Sequence, residues 1–508
     1  MARNLILGPP GTGKTTTLLE VAQGWLEEGL PPELLGFATY TRAARREASD
    51  RFRDRLHIPP ADLPWVRTIH SACSRALGLT KADYLTDKDL ADFGEEHHWD
   101  MGNTEDGISL GAVMMGHLDR GRALMQDDNV TASQILQPDG RRQFLSFARR
   151  YREWGRQLDK HDYTGVLEAA VAQRIRLPVS HLIVDEAQDL SPLQVAALAH
   201  TIANAECVTV AGDDDQAIFE HAGSDPSWLL SLAADERWGT RVLAQSWRVP
   251  RAVHARAQRV ISRNRRRVRK DYAPTGNEGS VSWLGWHELK GLGGDVMCLA
   301  RTRALVAPMA EALFRAGLPY IVERGRGPNP LGRRRVVDAV EIAAAIGRGE
   351  PIDAAGLSIL LELIPSSRDP GAICPWGLKT KARDLAGQIT TADLRMLGLG
   401  RLVDAAVVDP VALMLKLSAD DRAYLQRLRT EYGEVPQPTI RLSTIHSVKG
   451  REAEQVIINT EIPRVVDEHM AGDGAEAENR VAYVALTRAK QSVGLLSPQS
   501  SRGRAFPY

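Results

Sequence analysis

Short apolar runs alternate with stretches of helical period in both halves of the chain. In the first half each run is followed by a polar or glycine-rich turn and then a helical pattern. These runs are residues 4–7, 35–39, 181–184, 208–211 and 241–243. A second series begins near Arg241, with runs at residues 279–284, 296–300, 320–322, 439–442, 455–458 and 492–496. Such alternation is typical of parallel sheets with crossover helices, so we predict an α/β protein with two cores.

Two long stretches lack this alternation. Residues 79–164 are polar and rich in Asp, Gly and His, and residues 325–433 are rich in Arg, Gly and Pro before a helical pattern returns. We interpret both as mainly helical insertions. The predicted domains are a first core (1–80 and 165–240), its insertion (81–164), a second core (241–330 and 432–508) and a reduced second insertion (331–431).

Composition narrows the functional class. The 64 basic residues equal the 64 acidic ones, which argues against a protein that coats nucleic acid through bulk charge. The four cysteines form no CxxC pair, so a zinc or iron–sulfur site is not expected. No apolar run reaches the ~18 residues of a membrane span, and no signal peptide precedes the first strand. We therefore expect no membrane partner and a cytoplasmic location, in a bacterium or a phage-infected host.

A phosphate-binding loop follows the first apolar run. Residues 8–15 read GPPGTGKT and match the pattern GxxxxGK[ST] between a strand and a helix. Glycines allow backbone N–H groups to point at phosphate oxygens, and the helix N-terminus favours negative charge. Lys14 is expected at the β- and γ-phosphates, and the Thr15 hydroxyl at Mg²⁺. The predicted nucleotide-binding residues are Gly8, Pro9, Pro10, Gly11, Thr12, Gly13, Lys14, Thr15 and Thr16.

Two acids end the apolar run of residues 181–184. Asp185 is expected to hold Mg²⁺, and Glu186 to orient and deprotonate the attacking water. Acids at strand ends are often only solvated, so the pair alone is weak evidence. Together with the phosphate loop it predicts an ATP hydrolase that uses ATP and Mg²⁺.

Five further segments carry a more specific pattern. They are residues 185–189 (DEAQD), 212–219 (GDDDQAIF), 246–250 (SWRVP), 444–452 (TIHSVKGRE) and 482–490 (AYVALTRAK). In this order they resemble the motifs of the UvrD/Rep-like, PcrA-like superfamily 1A DNA helicases. The resemblance runs from near the first residue to near the last. It implies two RecA-like P-loop NTPase cores with parallel sheets, each carrying an insertion.

The resemblance also implies roles at the nucleotide. Gln216 would sense the γ-phosphate, while Arg248 and Arg488 would reach that phosphate from the second core as arginine fingers. Trp247 would stack on adenine, and Glu452 would accept a hydrogen bond from the ribose. The alternative for either arginine is a surface salt bridge. The family's glutamine motif upstream of the phosphate loop has no counterpart here, so adenine specificity is expected either to rest on Trp247 or to be relaxed.

A motor that ignores sequence is expected to use phosphate contacts and base stacking. The residues that match the family's strand-contacting segments are Tyr40, Thr41, Arg42, Thr68, His70, Phe219, His221, Arg301, Thr302, Thr444, His446 and Lys449. The alternative for Tyr40 and Phe219 is a place in the core. His221 stands where the family has a stacking Trp. The basic run 263–270 is interpreted as a solvated helix face or as a stripe that binds the DNA backbone.

The predicted function is that of an ATP-dependent 3′→5′ DNA helicase in replication, repair or recombination. It would act as a monomer on single-stranded DNA and on single/double-strand junctions, and its compact form would suit a phage. One alternative is a translocase that strips proteins from DNA with little unwinding. Others are a nucleotide switch or small-molecule kinase, and a motor on RNA.

Overall fold

The computed structural model of the 508-residue chain describes residues 1–104, 107–135, 138–332, 335–369, 371–383, 385, 387–472, 474–499 and 504–508. Contacts divide these residues into two compact units. The first comprises 1–276 and 472–484, and the second comprises 277–471 and 485–508. The domain boundaries given above remain predictions.

Eighteen strands are found among the described residues. They are β1 (Ala2–Leu7), β2 (Leu35–Thr39), β3 (Trp65–Thr68), β4 (Asn103–Thr104), β5 (Gly107–Ile108), β6 (His181–Val184), β7 (Cys207–Gly212), β8 (Gly239–Val242), β9 (Ser280–Leu284), β10 (Val296–Ala300), β11 (Tyr320–Val322), β12 (Ile352–Asp353), β13 (Gln388–Ile389), β14 (Ile440–Thr444), β15 (Ala453–Asn459), β16 (Glu461–Ile462), β17 (Ala489–Leu496) and β18 (Arg504–Ala505).

Twenty α-helices are found in the same part of the chain. They are α1 (Lys14–Glu27), α2 (Arg42–Leu56), α3 (Ile69–Ala76), α4 (Asp87–His97), α5 (Leu110–Ala123), α6 (Asp128–Ser133), α7 (Pro138–Leu158), α8 (Tyr163–Ala172), α9 (Pro192–Asn204), α10 (Ser227–Ala234), α11 (Arg251–Ile261), α12 (Ala307–Ala316), α13 (Val336–Gly347), α14 (Ala354–Glu362), α15 (Leu378–Arg383), α16 (Thr391–Met396), α17 (Gly400–Val408), α18 (Ala419–Tyr432), α19 (Arg464–Ala471) and α20 (Ala475–Leu486).

The first unit is built on a six-stranded sheet in the order β3-β2-β6-β7-β1-β8, and every pairing is parallel. Its central strands β6 and β7 are almost entirely buried, as expected where helices cover both faces. All carboxyl ends of the strands therefore lie at one edge. In open α/β sheets that edge is where ligands bind.

The first insertion has a small core of its own. Helices α4 to α7 surround an aromatic cluster that is separate from the clusters on the two faces of the sheet. Phe93 is fully buried there, and its ring lies 5.1–5.6 Å from the rings of Phe147, Tyr151 and Trp154. Edge-to-face and tilted ring packing of this kind stabilises a core beyond the area that it buries.

The second unit is built on a six-stranded sheet in the order β11-β14-β10-β15-β17-β9, again with every pairing parallel. Its insertion, unlike the first, shares one apolar cluster with the sheet. Val340 and Leu360 of the insertion belong to the same cluster as Cys298 and Leu442 of the sheet, and all four are fully buried. The prediction of two α/β cores with parallel sheets is thus confirmed.

One local prediction is wrong. Of the two interpretations of the basic run 263–270, the solvated helix face is wrong, because α11 ends at Ile261 and the run continues without a helix. The DNA-binding stripe stays a prediction. Lys270 is buried, and Arg267 is ion-paired with Asp215. Among the described residues, no helix has both the length and the apolar character needed to span a membrane.

Candidate functional site

The phosphate loop connects β1 to α1 at the carboxyl edge of the first sheet. Gly11 and Gly13 have φ angles of 72° and 80°, in the left-handed region that favours glycine. Helix α1 begins at Lys14, and no side chain caps its N-terminus. Its first N–H groups therefore point out of the helix, which suits a phosphate group.

Lys14 lies at the start of this helix and faces the two acids that follow β6. Its Nζ is 2.7 Å from Glu186 Oε2 and 3.8 Å from Asp185 Oδ1. Burial by itself lowers the pKa of Lys14, but the two carboxylates outweigh it and hold the pKa above its usual value. Burial raises the pKa of Asp185 to about 6 against the opposing effect of Lys14. A charged lysine and two acids thus meet beside the phosphate loop.

Glu186 occupies a strained backbone position. Its φ and ψ are 54° and 42°, a left-handed conformation that a residue with a Cβ rarely adopts. Strain of this kind persists where the surrounding structure holds it, and it clusters at functional sites. Here it follows directly after Asp185, whose carboxylate accepts the N–H of Glu186 at 2.8 Å.

A chain of hydrogen bonds connects Glu186 to the predicted sensor Gln216. Gln188 Nε2 donates to Glu186 Oε2 at 2.5 Å, and Gln188 Oε1 accepts the N–H of Asp213 at 2.9 Å. Gln216 Nε2 in turn donates to Asp213 Oδ2 at 2.8 Å. Gln188 is fully buried. The sequence analysis included Gln188 in its motif but gave it no role, although an amide side chain between two acids, Glu186 and Asp189, was a signal.

The segment after β8 lies directly on the phosphate loop. The N–H of Trp247 donates to Gly11 O at 2.8 Å, and Ser246 Oγ donates to Pro10 O at 2.8 Å. A Cβ added to Gly11 would lie 2.4 Å from the Cβ of Arg248, so only glycine fits. Trp247 itself is 78% exposed. Arg248 therefore lies in the first unit, beside the loop, whereas chain order alone assigned it to the second core.

The donor set beside Lys14 fits Mg²⁺ bound together with a nucleotide. Thr15 and Asp185 offer a hydroxyl and a carboxylate, the hard oxygen ligands that Mg²⁺ prefers. Within the described part of the chain no group of three or more His, Cys, Asp or Glu side chains forms a metal cage. Such a pair fits an ion that takes its remaining ligands from phosphate and water, as Mg²⁺ does.

In the second unit the predicted nucleotide residues lie near the amino ends of β15 and β17. Arg488 is 1% exposed and donates to the backbone oxygen of Arg451 at 3.3 Å. Glu452 pairs with Lys490 at 2.8 Å. Arg451 pairs with Glu323. The alternative of a surface salt bridge does not describe Arg488, because that side chain is buried.

The predicted DNA residues of the first unit follow β2 and β3 at the carboxyl edge. Thr41 and Thr68 cap α2 and α3, each accepting a backbone N–H at the start of its helix. Tyr40 and Phe219 stack on each other with ring centres 6.0 Å apart. Both rings are half-buried, so part of each belongs to the core and part faces outward. His221 is exposed and lies 6.1 Å from Phe219.

Tyr163 joins this surface and was missed by the sequence reasoning. Its ring is 61% exposed, and its hydroxyl accepts a hydrogen bond from Arg42 at 2.9 Å. The ring of His70 lies 6.0 Å away in an edge-to-face arrangement. Burial lowers the pKa of His70 to about 4, so its imidazole is neutral near pH 7. The local sequence signal for this residue was weak: an aromatic side chain at the first position of α8, directly after the N-cap Asp162.

The predicted DNA residues of the second unit follow β10 and β14. Arg301 and Thr302 come directly after β10, and Thr444 is the last residue of β14. The Thr444 and Ser447 hydroxyls lie 2.9 Å apart. His446 and Lys449 are half-buried in the turn that follows. Since β10 and β14 are parallel neighbours, these residues share the carboxyl edge of the second sheet.

Comparison with known proteins bears on both units. A family model described as an AAA domain matches residues 2–222, and one described as the UvrD-like helicase C-terminal domain matches residues 422–497. In both units the chain is therefore similar to the UvrD-like helicases. Together the two matches cover more than half of its length and include the phosphate loop, both acids and Arg488.

Three curated proteins that are similar to this chain are DNA helicases by name. The ATP-dependent DNA helicase PcrA of Bacillus subtilis is 24% identical over 63% of this chain and 48% of PcrA. DNA helicase II of Escherichia coli is 23% identical over 65% of this chain and 58% of that protein. DNA helicase II of Haemophilus influenzae is 22% identical over 99% of this chain and 83% of that protein. The chain therefore spans about half of PcrA and most of the Haemophilus protein.

Proposed function

We propose that this chain is a motor that hydrolyses ATP to move along single-stranded DNA from 3′ to 5′ and to separate strands at single/double-strand junctions. The observation that carries the proposal is the hydrogen-bonded chain from Glu186 through Gln188 and Asp213 to Gln216. It joins an acid beside the phosphate loop to Gln216, which shortly precedes Phe219 of the aromatic pair in the chain. A simple nucleotide switch or kinase has no use for such a connection.

At the nucleotide, the phosphate loop and Lys14 bind the β- and γ-phosphates. Thr15 and Asp185 would hold Mg²⁺, which would neutralise charge on the phosphates. Glu186 orients the attacking water and accepts its proton. Trp247 stacks on the base, because an exposed indole beside the loop offers a flat apolar face. The Glu452 carboxylate accepts a hydrogen bond from a ribose hydroxyl.

Arg248 and Arg488 stabilise the charge that develops on the phosphoryl group. Arg248 is already beside Gly11 of the loop. A guanidinium is planar, always charged and able to bind two phosphate oxygens at once. An arginine in this role contributes about 10³–10⁵ to the rate.

At the DNA, phosphate contacts and stacking share the work. Arg42 and Arg301 supply positive charge, and the hydroxyls of Thr41, Thr68, Thr302 and Thr444 supply hydrogen-bond donors. Tyr40, Phe219 and Tyr163 offer ring faces to bases, which suits a track read without sequence preference. Lys449 and the two imidazoles of His70 and His446 complete the set of phosphate contacts.

The first experiment measures ATP hydrolysis with and without single-stranded DNA for the wild type and for Lys14→Ala. We expect strong stimulation by DNA, lost in the variant by about 10²-fold or more because charge stabilisation at the phosphates is removed. Hydrolysis that ignores DNA would overturn the motor. A matched assay with single-stranded RNA identifies the track, and duplexes with 3′ or 5′ tails report the direction.

A second candidate is a translocase that strips proteins with little unwinding. The observation that favours it is His221, an exposed imidazole at the position where the family resemblance implies a stacking Trp. Base stacking is worth about 1–3 kcal/mol per base, so a smaller ring weakens the grip. Strand displacement measured beside translocation separates the two. Translocation without displacement that becomes displacement in His221→Trp would support this candidate.

A further inference from the structure

The turn after β7 holds three consecutive aspartates whose side chains are buried. Asp213 and Asp214 are 0% exposed at the side chain, and Asp215 is 1% exposed. The ammonium of Lys270 lies among them, 3.1, 2.5 and 2.9 Å from the three carboxylates. Arg267 binds Asp215 through two hydrogen bonds of 2.7 and 2.5 Å. A buried cluster of three negative and two positive groups results.

Every carboxylate in this cluster has a defined partner. Lys270 is itself 1% exposed, and burial alone lowers the pKa of its ammonium. The three aspartates outweigh burial and hold that pKa above its usual value, so Lys270 stays charged. The N–H of Val268 also donates to Asp214 at 2.9 Å. Isolated buried charges are costly, so each side of the cluster depends on the other.

Asp213 connects the cluster to the predicted sensor. One of its oxygens, Oδ1, faces Lys270 at 3.1 Å, and the other, Oδ2, accepts the amide of Gln216 at 2.8 Å. Its N–H donates to Gln188, which also binds Glu186. The orientation of the Asp213 carboxylate therefore decides where the Gln216 amide points. Lys270 fixes that orientation from the side opposite the amide.

We infer that Lys270, assisted by Arg267, is a positioning residue that holds Asp213 and through it aims Gln216 at the γ-phosphate. The inference rests on the proposed function, in which Gln216 senses that phosphate. It gives two residues of the basic run 263–270 a role inside the first unit. Lys270 touches neither nucleotide nor DNA in this role and acts only through Asp213.

The test measures kcat and KM for ATP in Lys270→Met and Lys270→Arg, at saturating single-stranded DNA. A misplacement of about 1 Å at a catalytic group can cost about 10²-fold in rate. We expect kcat of Lys270→Met to fall between tenfold and 10²-fold, with KM for ATP and the Kd for DNA changed less than threefold. Lys270→Arg should recover most of kcat because it keeps the charge. Lys88→Met, at an exposed lysine of α4 in the first unit, is the matched control.

A double-mutant cycle with Gln216→Ala separates positioning from a general structural role. If Lys270 acts through Gln216, Lys270→Met should change kcat less than twofold once Gln216 is already alanine. An equal loss in both backgrounds would overturn the inference. If Lys270→Met does not fold, as judged by its thermal melt, Arg267→Gln carries the same cycle because Lys270 then remains to neutralise the aspartates.

The wild-type measurement keeps the two proposals apart. Wild-type hydrolysis that DNA does not stimulate would mean that the motor itself is wrong. Stimulated wild-type hydrolysis with equal losses in both backgrounds would leave the motor standing and remove only the role of Lys270.

Discussion

The two sheets have the same number of strands and the same parallel pairing, but their candidate residues are arranged differently along the strands. In the first unit all of them lie at the carboxyl edge. Strands β1, β6 and β7 end at the phosphate loop, the two acids and the three aspartates, while β2 and β3 end at Tyr40 and Thr68. Nucleotide and DNA residues are therefore side by side on neighbouring strand ends.

In the second unit the two sets lie at opposite ends of the sheet. Arg301 and Thr444 lie at the carboxyl ends of β10 and β14, whereas Glu452 and Arg488 come directly before β15 and β17. Five strand residues at ~3.3 Å each put about 15 Å between the two ends. The first unit can thus connect its two sets through loops, as the Glu186–Gln216 chain does. The second unit must transmit any change between its nucleotide residues and its DNA residues along rigid strands.

Arg488→Lys tests this separation and has the largest expected effect. A lysine keeps the charge but loses the planar fork of the guanidinium. The kcat of DNA-stimulated hydrolysis should therefore fall by about 10³-fold, the lower end of what an arginine finger contributes. The Kd for single-stranded DNA should stay within threefold, because the DNA residues lie at the other end of the sheet. Stopped-flow phosphate release and fluorescence anisotropy measure the two quantities.

Arg451→Lys is the control for Arg488, since Arg451 lies beside it and pairs with Glu323. Its hydrolysis should stay near the wild-type rate. A loss of DNA affinity in Arg488→Lys as large as its loss of rate would show that the two ends of the second sheet are not separate.

Glu186→Gln examines the first unit in the same way. Removing a general base typically costs about 10²–10⁴-fold, so kcat should fall in that range while ATP still binds. Here the effect should also reach the DNA side, because Gln188 loses its charged acceptor and the chain to Gln216 changes. We expect the coupling between ATP binding and DNA affinity to weaken, measured as DNA Kd with and without a non-hydrolysable ATP analogue.

Glu206→Gln is the matched control for Glu186, since Glu206 is exposed and precedes β7 at the opposite edge. Both its rate and its coupling should match the wild type. Unchanged coupling in Glu186→Gln would mean that the hydrogen-bonded chain carries no signal between the two sets.

The sequence predicted the scaffold well because both sheets are buried and their strands are short apolar runs. It also identified the phosphate loop and the acids, whose chemistry depends on residues close in sequence. It did not predict the Lys270 cluster, since that lysine lies at least 55 positions along the chain from the aspartates it binds. Composition showed a basic run, and only the fold shows which of its members are buried.

Arg248 illustrates a second limit. Its motif comes after the last strand of the first sheet, so chain order alone assigned it to the second core. The contact that decides its place is the close approach of Gly11. A backbone approach between residues more than 200 positions apart leaves no periodic signal. The arrangement of the second unit was hidden for the same reason, because motifs give order along the chain but not the end of the strand on which they lie.

Tyr163→Ala has a smaller expected effect and extends the DNA surface of the first unit. Loss of one stacking ring costs about 1–3 kcal/mol, so DNA affinity should fall by roughly five- to 150-fold. Hydrolysis at saturating DNA should stay within threefold. Tyr432→Ala, a 44% exposed tyrosine at the end of α18 in the second unit, is the control. Equal affinities for both variants would remove Tyr163 from the surface.

The smallest expected effect concerns pH. Burial lowers the pKa of His70 to about 4, so the imidazole stays neutral between pH 6 and 8 and contributes a hydrogen bond rather than a charge. An unfolded histidine takes up a proton near pH 6.5, whereas the folded one does not until about pH 4. His70 therefore destabilises the fold as pH falls through this window, and His70→Gln should lose less stability than the wild type between pH 6.5 and 4.

DNA binding gives the complementary measurement. The salt dependence of DNA affinity counts phosphate contacts made by charges, and a neutral His70 adds none. The slope of DNA affinity against salt concentration can be measured at pH 6 and at pH 8. The difference between the two slopes should therefore be the same for His70→Gln and for the wild type. A slope that steepens toward pH 6 in the wild type alone would mean that DNA binding charges His70. His70, whose ring lies beside Tyr163, would then bind a DNA phosphate as a positive charge, as Arg301 and Lys449 of the second unit are proposed to do.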